Sequence, residues 1–326
     1  MSRERRGAGR GAPAKKGTRR ERRGAVGPPR QITTRVGIVA KARLQSAADH
    51  LAQIARWLES RKIQPIFDPD SAVLATAAGS RAPYQILEKD LLAREVDLVV
   101  VLGGDGTLLG MAGRIGQAGS NIPILGVNFG SLGFLTEVTL PEIYSSLDAA
   151  INGTAQIEER MMLNVAVERG GQRLTDRVVL NDVVVTQGAL SRIIDLSVSV
   201  DGEFMMRVKA DGLIIASPTG STAYNLSAGG PIVHPRVDGL TITPIAPHTL
   251  TNRPVVVPGS SEIRIQPFTQ TEQDEVFATF DGQSLLPLRS DHAILVRRAQ
   301  KPLRLVRASS RGYFQVLREK LKWGET

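Results

Sequence analysis

The 326-residue chain has no cysteine, which excludes thiol nucleophiles, disulfides, Cys-based zinc sites and iron–sulfur clusters. This composition suits a reducing compartment, so the expected location is cytoplasmic. There are four histidines, none in an H-E-x-x-H arrangement, so nothing points to a histidine-rich metal site. Gly-Lys-Ser/Thr is also missing, which rules out a Walker A loop. No apolar run approaches the roughly 20 residues needed to span a bilayer, and no membrane partner is expected.

Basic charge is plentiful but unevenly placed. The formal net charge is +9, yet the first 35 residues hold twelve Lys and Arg against two Asp and Glu, leaving 29 basic and 30 acidic groups for the rest. The excess therefore belongs to residues 1–33, a stretch of Arg, Gly, Ala, Pro and Lys with almost nothing apolar to bury. We read it as a disordered basic tail. Nucleic acid is an expected partner only through weak, non-specific contact by this tail. It has neither the apolar core of a secretion signal nor the amphipathic pattern of a presequence.

The remaining length predicts two domains. Over residues 34–153, strands and helices alternate. Strands are expected at Val36–Ala40, Ile63–Phe67, Val96–Leu102 and Ile122–Val127. Helices are expected over residues 44–58 and at Tyr84–Ala93, Leu108–Gln117 and Pro141–Ile151, with Ser71–Arg81 as a small-residue loop. That order is the signature of an α/β domain. Over residues 154–300 the texture changes to short alternating runs, at Leu163–Glu168, Val178–Thr186, Ile193–Val200, Leu213–Ala216, Ile263–Gln266, Val276–Phe280 and Ala293–Arg297. Turn pairs such as Asp201-Gly202 and Asp281-Gly282 separate them, which predicts a β-sandwich. Residues 301–326, with a helix at Tyr313–Lys322, are expected to pack back on the first domain. The fold class is thus an N-terminal Rossmann-like α/β domain followed by a C-terminal β-sandwich domain.

Two segments carry chemistry. Gly103-Gly104-Asp105-Gly106-Thr107 joins a buried strand to a helix, the place where open α/β sheets bind ligands. Its glycines allow close approach of backbone N–H groups to an oxyanion, and the helix N-terminus adds positive potential. Leu109 replaces the third glycine of a dinucleotide fingerprint, which disfavours a hydride-transfer Rossmann site. A carboxylate at Asp105 repels phosphate, so it reads as a proton acceptor or indirect metal partner. A tight turn in which Asp105 merely caps the helix is the alternative. The second segment, Asp211 to Ile232, gathers the hydroxyls of Ser217, Thr219, Ser221, Thr222, Tyr224 and Ser227 with the amide of Asn225. Such groups can read a nucleoside, although hydroxyl-rich turns without ligands also occur. His234 and His248 lie beside prolines and read as structural.

Together these segments resemble NAD kinase, the ATP- or polyphosphate-dependent family that makes NADP. The resemblance extends through Gly126-Val127-Asn128-Phe129-Gly130-Ser131-Leu132-Gly133-Phe134-Leu135, Leu180-Asn181-Asp182, Gly229-Gly230-Pro231-Ile232-Val233-His234-Pro235 and Thr243-Pro244-Ile245-Ala246-Pro247-His248-Thr249-Leu250. It implies a kinase acting on the adenosine 2′-hydroxyl of NAD, with Asp105 as the base. Gly103, Gly104, Gly106 and Thr107 would donate to phosphate oxygens, and a bound Mg²⁺ or Mn²⁺ would neutralise the donor. Dinucleotide contacts are implied for Asn181, Asp182, Arg192, Lys209, Asp211, Thr222, Ala223, Tyr224, Asn225, Leu226, Ser227 and Gln283. Asp182 stands where the family more often has glutamate, one methylene longer. The resemblance also implies a homodimer or homotetramer whose subunits share the dinucleotide site. Two alternatives stay open on the residues alone: a lipid kinase with the same glycine loop, and a catalytically silent NAD(P)-binding sensor.

Overall fold

The computed structural model describes residues 33–79, 84–130, 132–188, 193–249, 251–268, 275–307 and 311–324. The basic tail, Arg192, Ser131 and Leu250 lie outside the described residues. The first part of the chain runs β1 (Arg35–Ala40), α1 (Ala48–Glu59), β2 (Gln64–Phe67), α2 (Pro69–Ala77), β3 (Gln85–Ile86), α3 (Lys89–Glu95), β4 (Leu98–Gly103), α4 (Asp105–Gln117), β5 (Ile124–Asn128), α5 (Ile143–Ile151) and β6 (Gln156–Arg160). There follow β7 (Leu163–Arg169), β8 (Gln172–Val179), β9 (Asp182–Gln187), β10 (Ile194–Val200), β11 (Glu203–Ala210), β12 (Gly212–Ala216) and the single-turn α6 (Tyr224–Ser227). The chain continues through β13 (Gly239–Ile245), β14 (Val255–Pro258), β15 (Ile263–Phe268), β16 (Val276–Phe280), β17 (Ser284–Leu288), β18 (His292–Arg298), β19 (Leu303–Arg307) and α7 (Tyr313–Leu321).

The first sheet has the order β3-β2-β1-β4-β5-β19-β6. It is parallel except where β6 runs against β19. β1 and β4 are fully or almost fully buried, as apolar strands covered on both faces must be. The strand order reverses between β1 and β4, and their carboxyl ends therefore frame the crevice where such sheets take ligands. Lys41 follows β1 and donates its N–H to Leu102 O at 2.9 Å, so the two ends are tied together beside Gly103.

Two six-stranded antiparallel sheets make the second part, ordered β11-β10-β15-β18-β7-β8 and β14-β13-β12-β9-β16-β17. Val165, Leu196, Ile265 and Ile294 of one sheet share a core with Val185, Leu213, Ile242 and Ala278 of the other, the inner faces of a β-sandwich. Asp201-Gly202, the two-residue turn between β10 and β11, has positive φ at both positions, as do Asp281 and Gly282 in the three-residue connection from β16 to β17. Among the described residues no helix is long and apolar enough to cross a membrane.

Several elements differ from the sequence expectation. Of the expected loop at Ser71–Arg81, Ser71–Ala77 is helix and Ser80 and Arg81 lie outside the described residues; Asp68 accepts from Ser71 N at 3.3 Å and Pro69 opens α2, a start signal obscured by the small residues that follow. Tyr84–Ala93 is not one helix; Gln85 and Ile86 pair with Ile66 and Phe67, and α3 begins only at Lys89. α4 starts at Asp105 rather than Leu108, since glycine here marks the N-cap at Gly104. The single run Val178–Thr186 is two strands in different sheets, broken at Leu180 and Asn181. β11 and β17 carry much exposed side chain and give little hydrophobic alternation to read.

β19 lies between β5 and β6, and its Leu305 is 1% exposed. Truncating that side chain should therefore cost as much as truncating any central core residue. Leu305→Ala is expected to lower unfolding free energy in urea by about 2–5 kcal/mol; a loss below about 1 kcal/mol would mean that β19 is a dispensable appendage.

Candidate active site

The glycine segment takes a shape set by sterics. Gly103 ends β4, and a Cβ there would meet Thr107 Oγ1 at 2.9 Å and Lys41 Cβ at 3.3 Å. Around Gly104 and Gly106 a Cβ would find nothing within 4 Å, so both face open space. The first turn of α4 begins at Gly104 with no side chain capping it, which leaves N-terminal amides and the positive end of the helix turned toward that space.

Asp105 is therefore not the helix cap. Its carboxylate turns to the loop after β5, where the N–H groups of Phe134, Leu135 and Thr136 donate to it at 2.8, 3.1 and 3.0 Å, and Thr136 Oγ1 donates at 2.9 Å. Three of these bonds fall on Oδ1 and one, from Phe134, on Oδ2. Oδ2 keeps lone-pair capacity while the group as a whole is fixed in orientation. Gly133 is obligatory in this arrangement, because a Cβ would fall 2.0 Å from Asp105 Oδ1.

A second aspartate repeats the device. Asp281, at φ +50° in the β16–β17 turn, accepts from the N–H groups of Leu180, Asn181 and Asp182 at 2.8, 2.7 and 3.1 Å. The sequence showed only an Asp-Gly turn there, so this residue was missed; the positive-φ aspartate beside glycine was its sole signal. Burial raises the pKa of Asp281, against the pull of the three amides. Burial also pushes Asp182 up to about 7, with the Asp281 charge adding to it. The Oδ1 of Asn181 is buried without a hydrogen-bond partner among the described residues, an arrangement that in a folded protein calls for a donor from water or a ligand.

These pieces adjoin. Gln283 Nε2 reaches Gly106 O at 3.4 Å, joining the Asp281 turn to the glycine segment. Ser217 donates its N–H to Asn181 O at 2.8 Å and its hydroxyl to Leu180 O at 2.5 Å, and Gly220 packs so tightly on Asn181 that a Cβ would lie 2.1 Å from its carbonyl oxygen. A cleft of about 500 Å³ beside α4 takes in Asp281 and Gln283 but neither Asp105 nor Asn181.

The hydroxyl-rich segment divides into scaffold and exposed face. Asn225 is fully buried; its amide donates to Ser221 O and Pro231 O, both at 3.0 Å, and accepts from Thr241 and Thr243 hydroxyls at 3.2 and 2.7 Å. All its capacity is used inside the protein, which leaves none for reading a nucleoside. Ser221 is likewise committed, to Pro218 O and Val233 N at 2.6 and 2.9 Å. Thr222 Oγ1 donates to Thr219 O at 3.3 Å. Tyr224 and Ser227 are exposed, and Ala223 and Leu226 are half-buried between them. His234 lies edge-on to Tyr313 at 4.6 Å and accepts from Arg236 N, a structural role. Lys209 and Asp211 sit apart with His248, whose Nε2 is 3.8 Å from Asp211 Oδ1. They flank the start of β12, whereas Ser217 follows its end, roughly 20 Å away at about 3.3 Å per residue.

Known proteins resemble the chain along most of its length. The ATP-NAD kinase N-terminal domain family matches residues 36–155, and the ATP-NAD kinase C-terminal domain family matches residues 180–308. The NAD kinases of Geotalea daltonii and Geobacter sulfurreducens are 47% and 48% identical over 291 residues, which is 89% of this chain and 99% of each relative. A crystal structure of yeast NADH kinase complexed with NADH superposes with a TM-score of 0.80 at 26% identity, covering 90% of this chain and 89% of that one. An NAD kinase from Archaeoglobus fulgidus in complex with ATP shares the fold, with a TM-score of 0.68 at 23% identity, covering 87% of this chain and 99% of that one.

The raised pKa of Asp182 has a thermodynamic consequence. An acid that holds its proton more tightly in the folded state takes up a proton on folding between its ordinary value of 3.8 and about 7. Stability therefore falls as pH climbs through that window and stays low above it. Asp182→Asn should melt at higher temperature than the parent at pH 8, with the difference shrinking toward pH 5. Thermal melts across that range check this, and a gap independent of pH would contradict it.

Proposed function

The chain belongs to the NAD kinase family, and from that premise we infer that it transfers the terminal phosphoryl group of ATP, or of polyphosphate, to the adenosine 2′-hydroxyl of NAD, giving NADP. The observation that carries the assignment of roles is the carboxylate of Asp105, held by four donors of which only one falls on Oδ2, at the mouth of a glycine segment. The ribose oxygen attacks the terminal phosphorus, the bond to the departing phosphate breaks, and the hydroxyl proton passes to Asp105 Oδ2. Gly103, Gly104, Gly106 and Thr107, with the first turn of α4, hold the phosphate oxygens.

Asn181 Oδ1 accepts a donor of the dinucleotide, which supplies the partner it lacks. Asp182, protonated in part near neutral pH, can donate as well as accept there. The exposed ring of Tyr224 covers the adenine, with Thr222, Ala223, Leu226 and Ser227 beside it and Gln283 bridging to the phosphates. Asn225 serves as the post on which this turn is built. Lys209 and Asp211 are too far along β12 to join one chain's site easily, which supports a homodimer or homotetramer in which they serve a neighbour's dinucleotide; Arg192 is assigned by resemblance alone. Among the described residues no group of three or more His, Asp and Glu side chains could hold a metal ion. A Mg²⁺ or Mn²⁺ would ride mainly on the donor's phosphates and neutralise their charge. A cytoplasmic location fits the absence of cysteine.

Asp105→Asn keeps the shape of the side chain and removes its basicity. With NAD, Mg²⁺ and either ATP or polyphosphate, NADP formation should fall by about 10²–10⁴-fold while NAD still binds. Full turnover by the variant would overturn the role of Asp105. Failure of the parent chain to form NADP with any donor, while binding NAD, would favour a silent sensor.

A further inference from the structure

We propose that Arg307 is a positioning residue for the phosphoryl transfer, acting through Glu137 on the loop that orients Asp105. The inference rests on the reading of Asp105 as the base. β19 runs parallel to β5, so Arg307 at its carboxyl end lies at the same edge of the sheet as Gly103, which ends β4, and Asn128, which ends β5. That edge is where the site is built.

From there a short chain of contacts leads to the carboxylate. Arg307 Nη1 is 2.7 Å from Glu137 Oε1 and 3.1 Å from Glu158 Oε2, and its Nη2 donates to Arg311 O at 2.9 Å. Arg311 in turn donates from Nη1 to the backbone oxygen of Glu137 at 3.3 Å. The C-terminal part of the chain thus grips Glu137 at its side chain and at its peptide. Glu137 follows Thr136, which supplies two of the four bonds to Asp105. On the other side Val138 is pinned to β5, accepting from Asn128 N at 2.8 Å.

Burial makes this ion pair directional. The side chains of Arg307 and Glu137 are 12% and 6% exposed, and Arg160, 3.2 Å from Glu158, completes a group of two cations and two anions. A planar guanidinium that meets two carboxylates and a carbonyl at once fixes the separation of β19 from the loop, which a single flexible ammonium cannot do. α7 adds a second hold, with Lys320 Nζ 5.9 Å from the ring of Phe134, whose N–H binds Asp105 Oδ2. Loss of the Arg307 fork leaves NAD's contacts at Asn181 and Tyr224 in place and frees the cradle of Asp105 to drift.

The test uses the full chain with Arg307→Gln and Arg307→Lys, measuring kcat for NADP formation at saturating ATP, the dissociation constant of NAD, and folding by circular dichroism. Arg307→Gln is expected to lower kcat by about 10- to 100-fold, as small misplacements of a reacting group do, with NAD affinity within about threefold of the parent by the same argument. Arg307→Lys should recover part of the rate. In an Asp105→Asn background, assayed by slow accumulation of labelled NADP, Arg307→Gln should cause no further loss, because both act on one step. A folded Arg307→Gln protein with kcat within twofold of the parent overturns the proposal, as does a loss of NAD affinity that matches the loss of rate. If Arg307→Gln does not fold, the isosteric Glu137→Gln takes its place, and the same changes in rate and affinity support or overturn the proposal. Full activity of Asp105→Asn alone would instead refute the base, a separate failure.

Discussion

The organisation of the site depends on one interaction made twice: a carboxylate accepting three successive backbone N–H groups. Asp105 takes the amides of Phe134, Leu135 and Thr136, and Asp281 takes those of Leu180, Asn181 and Asp182. Three consecutive amides that converge on a point form an anion-binding concavity, and here the anions are the protein's own side chains. Each pairing fixes a loop that neither helix nor strand geometry would fix. Each also ties together residues far apart in sequence, so the position of a functional group is set by the tertiary fold and not by its neighbours in the chain.

The two cradles play different parts. At Asp105 the carboxylate is the proposed base and the loop is its support. At Asp281 the carboxylate is the support, and the residues it holds, Asn181 and Asp182, are those proposed to meet the dinucleotide. The cost of the second arrangement is visible in the protonation of the buried pair, since a site that places two carboxyl groups together away from water favours keeping protons on them. Gln283 joins the halves at Gly106, and the glycines at 133 and 220 are demanded by contact with Asp105 and Asn181.

Much of this was legible in the sequence. The buried strand before Gly103, the helix after it and the strand at Leu213–Ala216 read correctly, although α4 begins within the glycine segment itself. The strands at 203–210 and 284–288 did not, since their outward faces carry little pattern, and α2 hid behind alanines and serines. Asp105 stood out in the sequence by residue type and Asn181 only through the resemblance, while the role of Asn225, whose amide could have been ligand or scaffold, was open until its four partners were seen. Asp281 was read only as a turn residue. Amides gathered by a distant side chain leave no trace in spacing, because every residue type but proline supplies an N–H.

The placement of β19 bears on how the polypeptide reaches its native state. Leu305 pairs with Ile124, more than half the chain earlier, and both neighbours of β19 in the sheet are synthesised long before it. Emerging from the ribosome, the first sheet must wait with a gap between β5 and its edge strand β6 until the sandwich has been made. Its closure is therefore a late, long-range event, slow in the manner of high contact order, and the first part of the chain expressed alone lacks a strand of its own sheet.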